Sequence, residues 1–359
     1  AVALLSNPEL QVAFSRLGVA RAQLLSASLP PNPELEAEVL FRDGGAPDLS
    51  FAATASLTSL LTLPLSRSAA DKQLSRASVL AAAQALEIAY RVRTTFYEVV
   101  AAEQELVLMR GVVQTAALSR ELIARLREAG NVPELELVSA RAYEEDVRLR
   151  LEDAELRRIT LRAELVRRLG VDKLGVDPET LQLAIALPEP PLDEPPLAAI
   201  EKQAFAQSLD LLALSRGHKA LDAQQDAAAV AGWVPDVRAC VAVERDDGEW
   251  AVGPVAAMSL PLFDHGQGEV ASLEAQKRML EHERAATENR LRASARVLRE
   301  RVGLLSSRVR RYQLVLVPLR EKVTQETERQ YNAMHLGATQ WLTAKADEPF
   351  RRTTSDIAN

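Results

Sequence analysis

The segment "RLREAGNVPELELVSARA", Arg125 to Ala142, separates two stretches of helical composition. Residues 66–129, which lead into it, contain no proline and only one glycine. Gly130 suits the left-handed backbone that ends many helices, and Pro133 suits the first turn of a new one. The segment therefore predicts a very long helix, a tight turn and a return helix over 133–169.

A β-hairpin is predicted before the long helix. A helix over 8–28 ends at "LPPNPE", because proline removes a backbone donor and restricts the residue before it. The segments "ELEAEVLF" and "LSFAATASLTSLLTLPL" then alternate apolar and polar residues on either side of the turn "RDGGAPD". This period of two predicts two strands within 34–65, the second of them over 49–63.

The same order of elements is predicted again in the second half of the chain. A helix over 197–231 is followed by a hairpin within 236–262 and a very long helix over 268–336. The chain breaks again at Gly337, roughly 200 positions after the first glycine break, which indicates internal duplication.

Three segments follow from this duplication. The first repeat covers 1–174, a proline-rich linker covers 175–196, and the second repeat covers 197–359. Each repeat is predicted to contain a helix, a hairpin, a very long helix and a return helix.

Composition excludes several classes of function. The net charge is −7 and no basic stripe alternates with aromatic residues, so nucleic acid is not expected as a partner. A single cysteine, Cys240, excludes an internal disulfide and a cysteine-cluster metal site. No cofactor is expected. The sequence has no apolar run of about 18 residues, so no transmembrane helix is predicted. The first residues lack a signal-peptide pattern, which leaves a chain that is not exported and a processed exported chain both open.

The predicted elements require partners from other copies of the chain. A helix of about 60 residues is about 90 Å long and must pair along its length, as coiled coils do. Two hairpins supply four strands, which leave two open edges and cannot close a barrel alone. The sequence therefore predicts a homo-oligomeric tube, with pooled strands in a barrel and pooled helices around it.

Four motifs resemble the TolC-like outer-membrane efflux protein family, and more closely its CzcC-type, cation-efflux branch. They are "NPELQVAFSRLGVARAQLLSASLPPNPELEAEV", "RLREAGNVPELELVSARA", "SLPLFDHGQGEVASLEAQ" and "HLGATQWLTAKADE". The resemblance covers nearly the whole chain in the expected order. It implies a mainly α fold with a small β part, in which a trimer builds one transmembrane β-barrel from four strands per chain and an α-helical tunnel through the periplasm.

The resemblance also implies a location and partners. The trimer would lie in the outer membrane, in contact with its lipid, with its helices extending into the periplasm. The helix-turn-helix tips would meet a periplasmic adaptor (membrane fusion) protein and an inner-membrane pump. The cargo would be metal cations or drugs.

Two groups of residues are predicted to carry the function. The resemblance assigns the periplasmic gate and the adaptor-docking tips to Arg127, Gly130, Asn131, Glu134, Glu136, Gly337, Thr339, Gln340 and Thr343. The sequence pattern assigns the joints between the strands and the long helices to Pro64, Pro261, Gly266 and Gly268, because proline ends a β-ladder and glycine allows a bend.

The second tip departs from the family pattern. Glu136 lies six residues after Gly130, where such channels place an acid at the gate, but Thr343 stands in the matching position after Gly337. The second return helix meets Pro349 after about a dozen residues, and an interior proline costs about 3 kcal/mol in a helix. A truncated return helix is therefore expected.

Other candidate sites have simpler interpretations. The segment "FDHGQGE" resembles the start of a phosphate-binding loop but lacks the P-loop lysine and the full glycine pattern, so a polar turn is expected. His282 is expected on a solvated helix face, and Met334 with His335 point to different faces, which disfavours a metal site. Cys240 is expected to be a small buried or lipid-facing residue.

The sequence therefore predicts a non-enzymatic outer-membrane channel subunit of a tripartite efflux system. The alternative is a periplasmic coiled-coil adaptor or scaffold without a pore, which would not need a second, matched hairpin. An enzyme built on the glycine turn is a third interpretation, and no convergent catalytic residues support it.

Overall fold

A computed structural model describes residues 5–41, 47–171, 175, 177–180, 187–189, 195–246, 249–333, 335–337 and 341. The described residues are mainly helical, with four strands in one sheet. No helix within these ranges is both long enough and apolar enough to cross a membrane.

The first half of the chain contains the predicted hairpin and long helices. Helix α1 (Pro8–Ser28) leads into β1 (Glu34–Leu40) and β2 (Asp48–Ser56), and α2 (Leu57–Glu128) is followed by α3 (Glu134–Leu169). Helix α3 ends where the sequence predicts, because Gly170 adopts a left-handed backbone with φ 71°.

The predicted strand over 49–63 is too long. It ends at Ser56, whose hydroxyl accepts from the Ser59 N–H at 3.2 Å and so caps the first turn of α2. Pro64 consequently lies inside α2 and not at the end of a strand. The alternation of apolar and polar residues continues past Ser56, but the local cap decides where the helix begins.

The second half begins with two helices where one was predicted over 197–231. Helix α4 (Leu197–Gln207) and helix α5 (Leu209–Trp233) are separated by Ser208, whose side chain accepts from the Leu211 N–H and caps α5. Strands β3 (Asp236–Asp246) and β4 (Glu249–Ser259) then form the second predicted hairpin.

The second long helix is also interrupted. Helix α6 (Gln267–Arg311) passes through a π-helical segment (Tyr312–Leu316) into α7 (Val317–Asn332). Pro318 has no N–H to donate to the carbonyl four residues earlier. The turn just before it is wider, because the Val317 N–H donates to the Tyr312 carbonyl five residues earlier. Helix α7 ends at Asn332, four residues before the predicted end.

The sheet is antiparallel throughout, with the order β1-β2-β3-β4. The central pair joins the two predicted repeats, with Phe51 opposite Val243 and Thr54 opposite Cys240. Strands β1 and β4 each have one neighbour within the described part of the chain, so the sheet has two open edges.

The chain divides into two compact units, each with segments from both predicted repeats. The first unit contains Ala1–Pro8, Leu86–Ala199 and Ala295–Asn359, and the second contains Glu9–Ala85 and Ile200–Ser294. The predicted boundaries at 174 and 196 divide the chain by sequence order, whereas the two units group segments that contact one another. The two boundaries therefore remain predictions.

In the first unit the C-terminal part of α2 packs on α3. Ile123 contacts Leu137 in one apolar cluster, and Val112 and Ala116 contact Val147 in another. The buried Glu144 carboxylate accepts from Arg120 of α2 at 2.7 Å and from Arg148 of α3 at 2.5 Å, which adds a polar bridge to this contact.

In the second unit α5 packs on α6. Leu221 and Ala228 contact Leu273 and Leu280 in a buried cluster. Beside this cluster Lys277 donates to the Asp222 carboxylate at 2.6 Å, and this hydrogen bond lowers the pKa of Asp222 below its ordinary value.

Candidate functional site

The turn between α2 and α3 is closed by its own backbone. Gly130 has φ 76°, its N–H donates to the Arg127 carbonyl, and the Asn131 N–H donates to the Leu126 carbonyl, both at 2.9 Å. These two bonds form the Schellman pattern that ends many helices. The glycine predicted to make this turn therefore does so.

A charged pair crosses the same turn. Arg127 donates from Nε to Glu134 at 3.1 Å and from a terminal nitrogen to the Val132 carbonyl at 3.3 Å. Both side chains of the ion pair are exposed, so the pair contributes at most about 1 kcal/mol. Glu136 lies half-buried in the first turn of α3. The structure thus brings four of the predicted tip residues together with Gly130.

The second tip is described only in part. The His335 N–H donates to the Gln330 carbonyl at 2.9 Å, a bond that spans five residues like the one from Asn131. Gly337 does not have a left-handed backbone, so it does not play the part of Gly130. Thr339, Gln340 and Thr343, with Met334, lie outside the described residues, and so does the expected truncated return helix.

An aromatic residue that the sequence analysis did not select lies at this tip. The Trp341 ring stacks on Tyr331 with centroids 5.1 Å apart, and it packs against the cluster of Ile123 and Leu137. The signal available in the sequence was a tryptophan four residues after a glycine break, in a chain with only three tryptophans.

The joint between β4 and α6 is a turn that satisfies its own donors. The Gly266 N–H donates to Asp264 Oδ1 at 2.9 Å, and the His265 N–H donates to Gln267 Oε1 at 2.6 Å. A phosphate-binding loop needs such N–H groups for its ligand. Their use within the turn supports the polar-turn interpretation.

Only one of the two glycines predicted to bend the chain at this joint does so. Gly266 makes the bend with φ 75°, but Gly268 lies inside α6 and has no left-handed backbone. Pro261 follows the end of β4, as predicted. The unpredicted contact is at Gly232, where an added Cβ would lie 1.9 Å from the His265 carbonyl oxygen. The first joint has no equivalent turn, because 66–71 is helical.

The sheet has one apolar face and one polar face. The register places Leu35, Val39, Phe51, Val241, Val252 and Met258 on one side, and all six are exposed. The other side carries Glu34, Glu36, Glu38, Thr54, Arg238 and Glu244. A soluble protein normally covers an apolar surface of this extent.

Tryptophans lie at both ends of the β3–β4 hairpin. Trp250 lies at the hairpin turn, where the Arg245 guanidinium is 5.8 Å from its ring centroid. Trp233 lies at the other end, stacked on His265 with ring centroids 4.5 Å apart, and it is 70% exposed. Phe263, two residues before His265 in the chain, is 91% exposed. Aromatic residues at the two rims of an apolar band are typical of membrane-spanning strands.

The other side chains considered for chemistry do not assemble into a site. His282 lies on α6, and no group of three or more potential metal ligands occurs among the described residues. Cys240 is a half-buried free thiol in β3.

The fold is that of outer-membrane channel proteins. Three solved structures have a similar fold over 99% of this chain. CusC, solved in work on transmembrane channel formation, has a TM-score of 0.74 and 15% sequence identity, and the match covers 86% of its chain. The CmeC outer membrane channel of Campylobacter jejuni has a TM-score of 0.73, 14% identity and 82% coverage, and the outer membrane protein VceC of Vibrio cholerae has a TM-score of 0.73, 16% identity and 93% coverage. No protein family and no curated relative matches the sequence. The resemblance to TolC-like channels is confirmed at the level of the fold.

Proposed function

We propose that this chain is a subunit of an outer-membrane efflux channel and that it is not an enzyme. The observation that carries the proposal is the four-stranded sheet with an exposed apolar face, a polar face and two open edges. Strands of 9 to 11 residues suffice to cross a bilayer when tilted, and β2, β3 and β4 reach that length.

The open edges support a closed barrel made by several copies. Unpaired edge groups cannot face lipid, because each unsatisfied backbone group costs several kcal/mol there. Three copies would supply twelve strands, with the apolar faces toward lipid and the polar faces toward water. Trp250 at one rim and Trp233 with Phe263 at the other would lie at the two membrane interfaces.

The long helices would extend from this barrel into the periplasm. There the tips at Gly130 and Gly337 would meet an adaptor protein and an inner-membrane pump, and the channel would act as a passive conduit. The cargo would be metal cations, which the resemblance to the CzcC-type branch implies, or drugs.

The proposal predicts membrane location and mass. The chain should be recovered from the outer-membrane fraction and, after purification in detergent, should have the mass of a trimer. A monomeric chain found only in the periplasmic extract would instead support the coiled-coil adaptor.

The gate assignment gives a separate prediction for Glu136. Three copies around one axis would bring three carboxylates close together, which attracts cations and repels anions. Glu136→Gln should therefore lower the cation preference of the channel, about twofold or more, with little change in its assembly. Glu274→Gln is the matched control, because it removes one exposed carboxylate of α6 outside both tips. Equal cation preference in the Glu136 variant and the unaltered channel would exclude Glu136 from the gate.

A further inference from the structure

Arg245 is the one charged residue that the described strand register puts on the apolar face of the sheet. It lies in a row across three strands, between Leu49 of β2 and Trp250 of β4. A charge on a face that the proposed barrel turns toward lipid is costly unless a counterion or polar group accompanies it. Arg245 therefore needs an anionic partner that the apolar face does not provide.

The contacts of Arg245 leave its hydrogen-bond donors unused. The half-buried guanidinium lies beside the Trp250 ring, 5.8 Å from the ring centroid. Its Nε is shielded from solvent and donates to no residue that the structure describes. Over the same part of the chain Arg245 makes no ion pair, whereas Arg238 of the same strand lies 3.6 Å from the Asp236 carboxylate. An aromatic ring therefore holds a guanidinium that still lacks an acceptor.

Arg245 and Trp250 lie at the strand ends opposite those that join the helices. Strand β2 continues into α2 at Leu57, and β3 follows α5, so the helices leave the sheet at its other end. In the proposed channel the helices extend into the periplasm, which puts the β3–β4 turn at the outer surface of the membrane. Tryptophan is enriched where hydrocarbon meets the lipid headgroups. The Arg245 side chain would therefore lie at the level of the headgroups of the outer leaflet.

Neither the pore nor a second copy of the chain is placed to supply the acceptor. Glu244 and Arg238 belong to the polar face, which the proposed barrel turns toward water, and Arg245 points to the other side of the sheet. Both neighbours of β3 are strands of the same chain, so a copy paired at an open edge lies one strand further away. Lipid is the remaining surrounding of Arg245.

We infer that Arg245 and Trp250 bind the phosphate group of an outer-leaflet lipid. This inference rests on the proposed channel and adds a lipid-binding site to its outer face. The planar guanidinium matches the geometry of two phosphate oxygens. Tryptophan has an apolar body and a polar N–H, which suit the boundary between acyl chains and headgroups. Val252, two residues from Trp250 on the same face, is 70% exposed and offers apolar surface to an acyl chain.

Lipid titration of the full chain in detergent tests the site. The probe is phosphatidic acid, the matched lipid without phosphate is diacylglycerol with the same acyl chains, and native mass spectrometry counts the bound lipid. Arg245→Gln should raise the dissociation constant for phosphatidic acid about tenfold or more, because a charge-assisted hydrogen bond is lost, and should not change the weak binding of diacylglycerol. Arg245→Lys should have a smaller effect, since it keeps the charge but not the planar pair of donors. Arg238→Gln is the matched control, because it removes an arginine of the same strand from the other face.

Competition with inorganic phosphate separates a lipid from a free anion. Inorganic phosphate at the concentration of the lipid should displace little phosphatidic acid, because it gains nothing from the apolar surface. Full displacement would overturn the lipid site in favour of a site for free phosphate. Circular dichroism verifies that each variant is folded.

The outcomes also distinguish this inference from the proposed function. A chain that conducts ions but whose affinity for phosphatidic acid is unchanged by Arg245→Gln would overturn the lipid site and leave the channel standing. So would an equal loss of affinity in Arg238→Gln. An unaltered chain that never enters a bilayer would overturn the proposed channel, together with the position of Arg245 in a membrane.

Discussion

Gly232→Ala is expected to disrupt the joint between the sheet and α6. The new Cβ would lie 1.9 Å from the His265 carbonyl oxygen and 2.6 Å from its carbonyl carbon, distances that require a backbone shift. Overpacking of this kind costs about 3 kcal/mol or more. The shift would also separate Trp233 from His265, whose rings now stack. Thermal unfolding followed by circular dichroism should show a midpoint lower by about 4 °C, since 1 kcal/mol shifts the midpoint of a chain of 359 residues by only about 1.3 °C.

Gly268→Ala is the matched control for this joint. Gly268 lies in α6, no atom lies within 4 Å of its added Cβ, and its backbone is not left-handed. Alanine favours a helix over glycine by about 1 kcal/mol, so this variant should be as stable as the unaltered chain or slightly more stable. Equal loss of stability in both variants would contradict the account of the joint.

Gly170→Ala is expected to have the second large effect, at the end of α3. Gly170 has φ 71°, and an added Cβ would lie 2.6 Å from both the Asn7 Cα and the Ser6 carbonyl oxygen. The side chains of Ser6 and Asn7 also donate to the Leu169 and Arg168 carbonyls at 2.7 Å. The variant would lose about 1–2 kcal/mol from backbone strain and a further 1–3 kcal/mol from the clash.

Gly130→Ala separates these two costs. Gly130 has φ 76°, but no atom lies within 4 Å of its added Cβ. The substitution should therefore cost only the backbone strain, about 1–2 kcal/mol. If denaturant unfolding gave equal losses for Gly130→Ala and Gly170→Ala, the close contact of the N-terminal segment with α3 would be contradicted.

The sequence predicted those parts of the fold that depend on local chemistry. Gly130 and Gly170 end helices because only a residue without a Cβ takes a left-handed backbone at little cost. The alternation in "ELEAEV" and "LSFAATAS" predicted both β1 and the start of β2, because alternating sides is also a local property of a strand.

The errors arose where two local signals compete or where the decisive contact is distant. Ser56 begins a helix eight residues before Pro64, although the apolar alternation continues between them. Ser208 divides a stretch that periodicity treats as one helix. The contact of Gly232 with His265 joins residues 33 positions apart, and no spacing rule in a single sequence predicts it.

The tip residues show the same division. The sequence identified Gly130 as a turn. The helix dipole is one structural reason for the charges beside it, since basic residues end α2 and acidic residues begin α3. The Arg127–Glu134 pair provides a second structural reason. Trp341 was not selected, because its role depends on Tyr331 and on the α2–α3 cluster, which come together only in the folded chain.

Ion conductance across a planar bilayer tests the central claim most directly. The purified unaltered chain, added to one side of the bilayer, should produce discrete conductance steps that prefer cations. These steps should coincide with the trimer fraction of the preparation, because the proposed barrel needs twelve strands from three chains. A folded chain that inserts no conducting unit in any oligomeric fraction would contradict the proposal that this protein forms a membrane channel.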